Sequence, residues 1–421
     1  MRLGLLAHHR DFRLLWTGET TSKFGSSISG IALSLVAVST LHASTFVVAV
    51  LSAAAWLPWL LIGLPAGAWI DRWPRRPVMI ACDLVSLCLF LSIPIAAWLG
   101  VLSIVQLLLV AVLVGVATVF FQTAYGAFLP SLLPPEDLQE GNAKLQGSAS
   151  AVQVVGPGAG GLLAEVFGAV TGLVADAASF LVSAVCLLRI RTREEPAPVV
   201  HRRSLREEIG AGLRFVTRDP YLRVLMAFGA TANLALTGYQ AIVVVFLVRV
   251  VGVGSGAVGL LMAATSLGGV AGALVSSRVA RRFGTARAVL LCELCGPPFG
   301  LLIPLTGKGF GLIFFAVGGF LVVAGVVASN VIQSGFRQAY VPADLRGRVS
   351  TSSAFLNYGA IPIGALLGGT LGTALGVRPT LWLMTGLLAL SGLLLLAGPA
   401  RHRRDYPTEP AAVRVLEPAA G

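Results

Sequence analysis

The sequence predicts an all-α integral membrane protein of twelve transmembrane helices, arranged as two parallel six-helix repeats. Three observations predict it: the composition, the rhythm of apolar runs, and an internal repeat. Of 421 residues, 56% are hydrophobic and 12% charged, and the mean hydropathy is +0.84. Soluble domains carry charge on roughly a quarter of their residues, so a soluble multidomain protein is excluded. Cys82, Cys88, Cys186, Cys292 and Cys295 all lie inside apolar runs, which excludes an oxidised disulfide framework.

Crossing a ~30 Å hydrocarbon core takes ~20 apolar residues in helical conformation. Runs of that kind fall at 14–41, 45–70, 77–99, 102–127, 142–165 and 169–189, then at 220–248, 255–277, 286–306, 310–334, 350–374 and 379–399. The first follows Arg2, Arg10 and Arg13 and is too long for the apolar stretch of a cleavable signal peptide, so it is expected to stay in the mature protein.

The short turns between runs alternate in charge. One set holds the N-terminal tail, Arg72, Arg75, Arg76, Lys144, Arg189 through Arg223, Arg278 through Arg287, Arg337, Arg346, Arg348 and the tail from Arg401. The other set holds only Arg249, Lys308 and Arg378, and Lys23 lies within the first run, so 27 of the 31 basic residues fall on one side. The positive-inside rule makes that side cytoplasmic, with both termini there. The net charge of +12 is therefore a topology signal; a nucleic-acid surface needs a basic face with interleaved aromatics, and no such face occurs.

The repeat is legible in matched segments. Arg10-Asp11 precedes the first run as Arg218-Asp219 precedes the seventh. Gly67 to Arg75-Arg76 matches Gly272 to Arg281-Arg282, Met79–Leu84 matches Val289–Leu294, and Pro135–Leu138 matches Pro342–Leu345. An even number of spans separates the copies, so both have one orientation and are related by an axis along the membrane normal. The expected organisation is an N-terminal bundle (1–191), a cytoplasmic linker (192–219), a C-terminal bundle (220–400) and a disordered tail (401–421). In the linker, Ser204 and Glu207 have capping-box spacing, and Leu205, Ile209, Leu213 and Val216 recur at helical spacing. A short amphipathic helix on the membrane surface is expected there.

Gly67–Pro77, GAWIDRWPRRP, joins runs two and three. With twelve spans in two parallel halves, this resembles the major facilitator superfamily, whose hallmark loop reads Gly-x-x-x-Asp-Arg-x-Gly-Arg-Arg. Arg10–Gly18, Phe128–Ala143, Val155–Gly161 and Ala175–Ala184 are similar to its branch of macrolide and enterobactin exporters. The resemblance implies a hallmark-loop role in bracing the halves when the cavity faces outward, carried here by Gly67, Asp71, Arg72, Arg75 and Arg76. Pro74 replaces the family's glycine, and Ser276 stands in the second copy where Asp71 stands in the first, so the brace is expected on one side only. Physically, a carboxylate at a helix C-terminus needs a compensating partner, and the arginines alone also satisfy a pure topology role. Gly156, Pro157, Gly160 and Gly161 are similar to the antiporter motif of drug exporters, except that Val152 stands where that motif has a further glycine; either close helix packing or an export-specific role fits. Run eleven echoes it with Pro362, Gly364, Gly368 and Gly369.

An ionisable group near the bilayer centre is costly, so it faces a cavity or a partner. Glu19 and Lys23 are four residues apart on one helical face, at depths of roughly 12 and 18 Å at 1.5 Å per residue. Two roles fit: a neutralising structural pair, or proton coupling and substrate contact. Asp176, two turns from the outer edge, could share the coupling role. Asp83 and Glu293 occupy equivalent repeat positions near the cytoplasmic edge, which favours structural pairing with the basic loops beside them. Gln122, Tyr125, Asn233, Gln240, Asn330 and Asn357, with Tyr239, Gln333 and Tyr358, either line a cavity or join helices by hydrogen bonds.

Enzyme signatures are missing from the pattern: Cys292-x-x-Cys295 has no histidine nearby, and no Gly-Lys-Ser/Thr phosphate loop occurs, so neither metal, cofactor nor ATP drive is expected. The expectation is a non-enzymatic secondary transporter, a monomer in the plasma (inner) membrane, exporting a hydrophobic or amphipathic small molecule in exchange for protons. Alternatives are a siderophore or peptide-like metabolite exporter and, in a different class, a membrane sensor or scaffold, for which neither terminus supplies an effector domain. The topology is testable by labelling single cysteines in intact cells with an impermeant maleimide. Positions 249, 308 and 378 should react and position 76 should not; reaction of all four from outside overturns the orientation.

Overall fold

The protein is described as a computed structural model for residues 5–70, 72–134, 136–192 and 214–408. Asp71, part of the hallmark loop, and residues 193–213, which hold most of the expected linker helix, lie outside the described residues. After the short helix Leu5–His8 come α1 (Arg10–Leu35), α2 (Thr45–Ile70), α3 (Arg75–Trp98), α4 (Ile104–Leu132), α5 (Leu138–Phe167) and α6 (Ala169–Arg189). The second series is α7 (Pro220–Val245), α8 (Ser255–Phe283), α9 (Thr285–Cys295), α10 (Leu312–Tyr340), α11 (Ala343–Ala374) and α12 (Val377–Ser391). Among the described residues eleven helices are long and apolar enough to cross a membrane, and the apolar stretch Gly359–Ala374 within α11 supplies the twelfth. The all-α, twelve-span expectation holds, and among the described residues there is no strand.

Three departures have local causes. The ninth run is not one helix: α9 stops at Cys295 and continues as a 3-10 segment, Pro297–Leu305, because Pro297 and Pro298 contribute no N–H to the α ladder. Helices α5 and α11 begin earlier than their apolar runs, since polar residues such as Gln139 and Glu140 extend a helix without belonging to its hydrocarbon-spanning part. Finally, α1 and α7 both loosen into a π turn at matched positions, Val36–Thr40 and Phe246–Val251, so the repeat extends to backbone irregularities.

The chain divides into two compact units, Met1–Val200 with Leu247–Ala263, and His201–Phe246 with Ala264–Gly421. One hydrophobic cluster of the first unit joins Phe12, Leu15, Ile70, Met79, Phe121 and Phe128. A cluster of the second joins Leu222, Phe228, Val289, Phe336, Tyr340 and Tyr406. Val216, the last apolar position expected in the linker helix, is buried in this second cluster, within the helical turn 214–218.

The two repeat aspartates do corresponding work. Asp11 Oδ2 accepts from the Arg191 and Thr192 N–H groups (3.0 and 2.9 Å) and from the Thr192 hydroxyl (2.7 Å), tying the start of α1 to the end of α6. Asp219 is fully buried; its Oδ1 caps α7 by accepting from the Tyr221 and Leu222 N–H groups (both 3.0 Å), and its Oδ2 accepts from the Tyr340 hydroxyl at 2.6 Å. The expectation of disorder fails for the first residues of the tail. Asp405 Oδ1 accepts from the Thr285 N–H at the start of α9 (2.8 Å), and the Tyr406 ring stacks on Phe336 with centroids 4.3 Å apart. A charge-assisted cap and an aromatic surface supply what the tail's composition did not advertise.

Removing a buried cap costs about 1–2 kcal/mol, and leaving its partners unpaired adds to this. Asp219→Ala should therefore lower the melting temperature of the detergent-purified protein more than Asp11→Ala, whose carboxylate is only half-buried. Equal, negligible shifts would show that these clasps do not hold the bundles together.

Candidate substrate cavity

Helix α1 presents a polar stripe: Glu19, Ser22, Lys23, Ser26 and Ser29 recur at three- and four-residue spacing, on one face of a 3.6-residue helix. In hydrocarbon such a stripe has to face protein or water, and it does. Together with α2, α3, α4 and α6 it encloses a cavity of about 500 Å³ inside the first unit. Polar residues on its wall include Glu19, Lys23, Asp83, Ser86 and Gln122, and Trp56, Trp59, Phe90, Phe121 and Phe180 supply aromatic surface.

Glu19 is 3% exposed and pairs with Lys23, Nζ to Oε1 at 3.1 Å; Lys23 is one-third exposed. Gln122 and Tyr125 of α4 lie beside the Glu19 carboxylate. Asp83 corrects an expectation. It makes no ion pair with the basic loops among the described residues; it is 1% exposed, lines the cavity beside the Ser183 hydroxyl and near Glu19, and its Oδ2 has no hydrogen-bond partner. Asp176 is fully buried behind this wall, where its Oδ1 accepts from the Ser179 hydroxyl at 3.1 Å and the hydroxyls of Ser26 and Ser29 face its carboxyl group. Gly25 of α1 permits this approach, since a Cβ there would collide with Ser179 and Asp176.

Other residues singled out in the sequence do not join this cavity. Asn233 donates to Asn357 Oδ1 at 3.0 Å, an α7 to α11 hydrogen bond inside the second unit. Gln240 and Asn330 are exposed. Glu293 is 2% exposed beside Ser329, which accepts from Gln333 at 2.8 Å, and like Asp83 it has no ion pair among the described residues. Cys292 and Cys295 are free thiols. In the hallmark loop, Arg75 donates to the Ala127 carbonyl (3.2 Å), while Arg76 caps α6 by donating to the Leu187 and Leu188 carbonyls (2.8 and 2.6 Å); Arg72 is exposed and Gly67 has open space beside it.

The α5 glycines let backbones touch. Gly160 lies against Ile28 of α1, Gly156 against Ser27, and Gly161 against the Gly259 backbone of α8. Gly364 and Gly368 of α11 meet α7 at Leu234 and Gly238 in the same way. Near Gly161 the Glu165 carboxylate accepts from the Gly256 N–H and from the Ser255 hydroxyl, capping the N-terminus of α8, and Arg249 donates to the Val38 and Ala43 carbonyls (3.2 and 2.7 Å). Sequence reasoning missed the aromatic wall, Glu165 and the contacts of Arg249 with the Val38 and Ala43 carbonyls. Only the serine stripe beside Glu19 had a signal, its helical spacing.

The family model described as transmembrane secretion effector matches residues 6–413. The chain belongs to this family of the major facilitator superfamily. Its relatives include the multidrug efflux pump Tap of Mycolicibacterium fortuitum, 29% identical over 376 residues, covering 86% of this chain and 89% of the relative. Another is macrolide efflux protein A of Streptococcus pyogenes, 23% identical over 394 residues, covering 91% and 93%. A solved bacterial homologue of the iron transporter ferroportin shares the fold, with a TM-score of 0.75 at 16% identity over 94% of this chain and 99% of that one. These relatives and neighbours are transporters, and this chain is a multi-pass membrane transporter rather than an enzyme.

Overpacking a close contact costs about 1–3 kcal/mol. Gly161→Val drives a side chain into the Gly259 backbone, whereas Gly147, on the same helix, has nothing within 4 Å of a Cβ. In thermal unfolding, Gly161→Val should melt earlier and Gly147→Val close to wild type; matching shifts would remove the close-approach argument.

Proposed function

We propose that this transporter exports a hydrophobic or amphipathic small molecule from the cytoplasm by alternating access, in exchange for protons, as a monomer in the plasma membrane with both termini cytoplasmic. The observation that carries the reading is a buried, ion-paired carboxylate on the wall of an apolar, aromatic cavity: Glu19 with Lys23 at 3.1 Å. Apolar rings supply area for an amphipathic molecule. A carboxylate whose counter-ion sits on a flexible stem can exchange that ion for a proton when the pair separates. The multidrug and macrolide efflux relatives support the direction and the substrate class.

Glu19 takes the coupling role in this cycle because, of the three carboxylates buried within the spans of the first unit (Glu19, Asp83 and Asp176), it alone is both ion-paired among the described residues and on the cavity wall. Asp71, Arg72 and Arg76, with Gly67 and Arg75 beside them, brace one end state in the manner the hallmark loop implies.

Reconstituted vesicles loaded with a macrolide or a lipophilic dye test the proposal. Wild type should accumulate substrate when a pH gradient is imposed. Glu19→Gln should abolish that accumulation and keep substrate exchange without a gradient. Gradient-driven accumulation unchanged in Glu19→Gln but lost in Asp176→Asn would move the coupling carboxylate to α6.

A further inference from the structure

The hallmark loop and its second copy use their arginines differently. In the first unit Arg75 and Arg76 are spent on the Ala127, Leu187 and Leu188 carbonyls. Their counterparts Arg281 and Arg282 end α8 exposed, and among the described residues neither takes a carbonyl or a carboxylate; Arg282 lies over the neighbouring Phe283 ring, 5.8 Å from its centroid. The tail brings more charge to the same place. The Arg404 carbonyl accepts from the Ala286 and Arg287 N–H groups (3.1 and 3.3 Å), and the Tyr406 N–H donates to the Thr285 hydroxyl (2.9 Å). With the Asp405 cap, these bonds seat exposed Arg403 and Arg404 beside the turn from α8 to α9. Arg278 and Arg287 complete a group of six exposed arginines. The only acid of segments 274–287 and 401–408 is Asp405, and it is spent on the start of α9. The tail occupies the first three N–H groups of that helix, so an anion arriving here meets guanidinium groups rather than backbone.

The helix that carries this charge also presents an apolar face. Leu267, Val270 and Leu274 of α8 are exposed at three- and four-residue spacing, and Arg278 and Arg281 continue the same face. From Leu267 to Arg278 the helix rises roughly 16 Å at 1.5 Å per residue, about half of a ~30 Å hydrocarbon core. That is the depth of one leaflet, with the arginines at its polar edge. The geometry points to a binding site for an anionic glycerophospholipid, its phosphodiester held by Arg281, Arg282, Arg403 and Arg404 and an acyl chain laid along Leu267, Val270 and Leu274. Guanidinium groups suit phosphate because their planar fork meets two oxygens at once. A zwitterionic lipid offers the same phosphate together with a cation of its own, which six arginines repel. A soluble phosphate satisfies the arginines but leaves the apolar face unused. The inference is independent of the exporter reading, and its test reads binding alone.

The probes are dioleoyl phosphatidylglycerol and dioleoyl phosphatidylcholine, titrated into the full-length protein in non-ionic detergent and counted by native mass spectrometry. Each arginine near an anionic surface is worth roughly fivefold in binding. Wild type should bind phosphatidylglycerol at least about tenfold more tightly than phosphatidylcholine. Arg281→Gln with Arg282→Gln should weaken phosphatidylglycerol about tenfold and leave phosphatidylcholine unchanged, whereas lysine at both positions should keep most of the preference. Arg189→Gln with Arg191→Gln removes two exposed arginines of the first unit and should change nothing. The substituted side chains are exposed, so melting temperatures in phosphatidylcholine nanodiscs should match wild type, which separates lost binding from lost fold. A check on wild type alone is salt: raising ammonium acetate from 0.1 M to 1 M shortens the Debye length from about 10 to about 3 Å and should shrink the preference. Equal affinities for the two lipids, equal losses in the two glutamine variants, or a preference indifferent to salt overturns the proposal. Displacement of phosphatidylglycerol by millimolar glycerol 1-phosphate also overturns it, by making this a site for soluble phosphate.

Discussion

Hydrocarbon offers no hydrogen-bond partner, and this constraint organises the protein from its helices to its cavity. Backbone groups are satisfied within each span, so the weak points are helix ends and breaks. Those points hold the conspicuous polar side chains: Asp219 caps α7, Asp405 meets the start of α9, Glu165 meets the start of α8, and Arg76 takes the last carbonyls of α6. Negative groups sit at helix starts and a positive one at a helix end, the placement that the helix dipole favours. Charge is used to finish helices before it is available for anything else.

Against that rule the first unit keeps three carboxylates away from helix ends. Each is accommodated differently: Glu19 by an ammonium, Asp176 by several serine hydroxyls, and Asp83 by the hydroxyl of Ser183. The differences separate roles that composition alone would merge.

The repeat shows how a duplicated scaffold is specialised. Backbone features are shared: the matched π turns, the glycine contacts of α5 on α1 and α11 on α7, and the aspartate before each first span. The polar interior is not shared. Where the first unit has a carboxylate cavity on α1, the second has a neutral Asn233 to Asn357 bond joining α7, the counterpart of α1, to α11. Asp83 and Glu293 occupy corresponding positions, yet only Asp83 lines the described cavity. Packing glycines are constrained by backbone contact on both sides, whereas interior polar groups are constrained only by whether something can pair with them.

The sequence by itself determined the spans, the duplication and the family resemblance, because these rest on hydropathy and on residue patterns that recur along the chain. It also placed Glu19 and Lys23 on one face, since four residues is one helical turn. The broken ninth span was legible in principle from Pro297-Pro298, because a missing N–H acts locally. What the tertiary structure decided is which faces meet. Asp83 is as close to a basic loop in sequence as a paired residue would be, but α3 turns it toward Ser183 and the cavity. The tail looked disordered by its prolines, yet Asp405 finds a helix start 120 residues away in sequence and Tyr406 an aromatic ring of another helix, Phe336. The five rings of the cavity come from four helices, and no periodicity along one chain segment records a contact made between four.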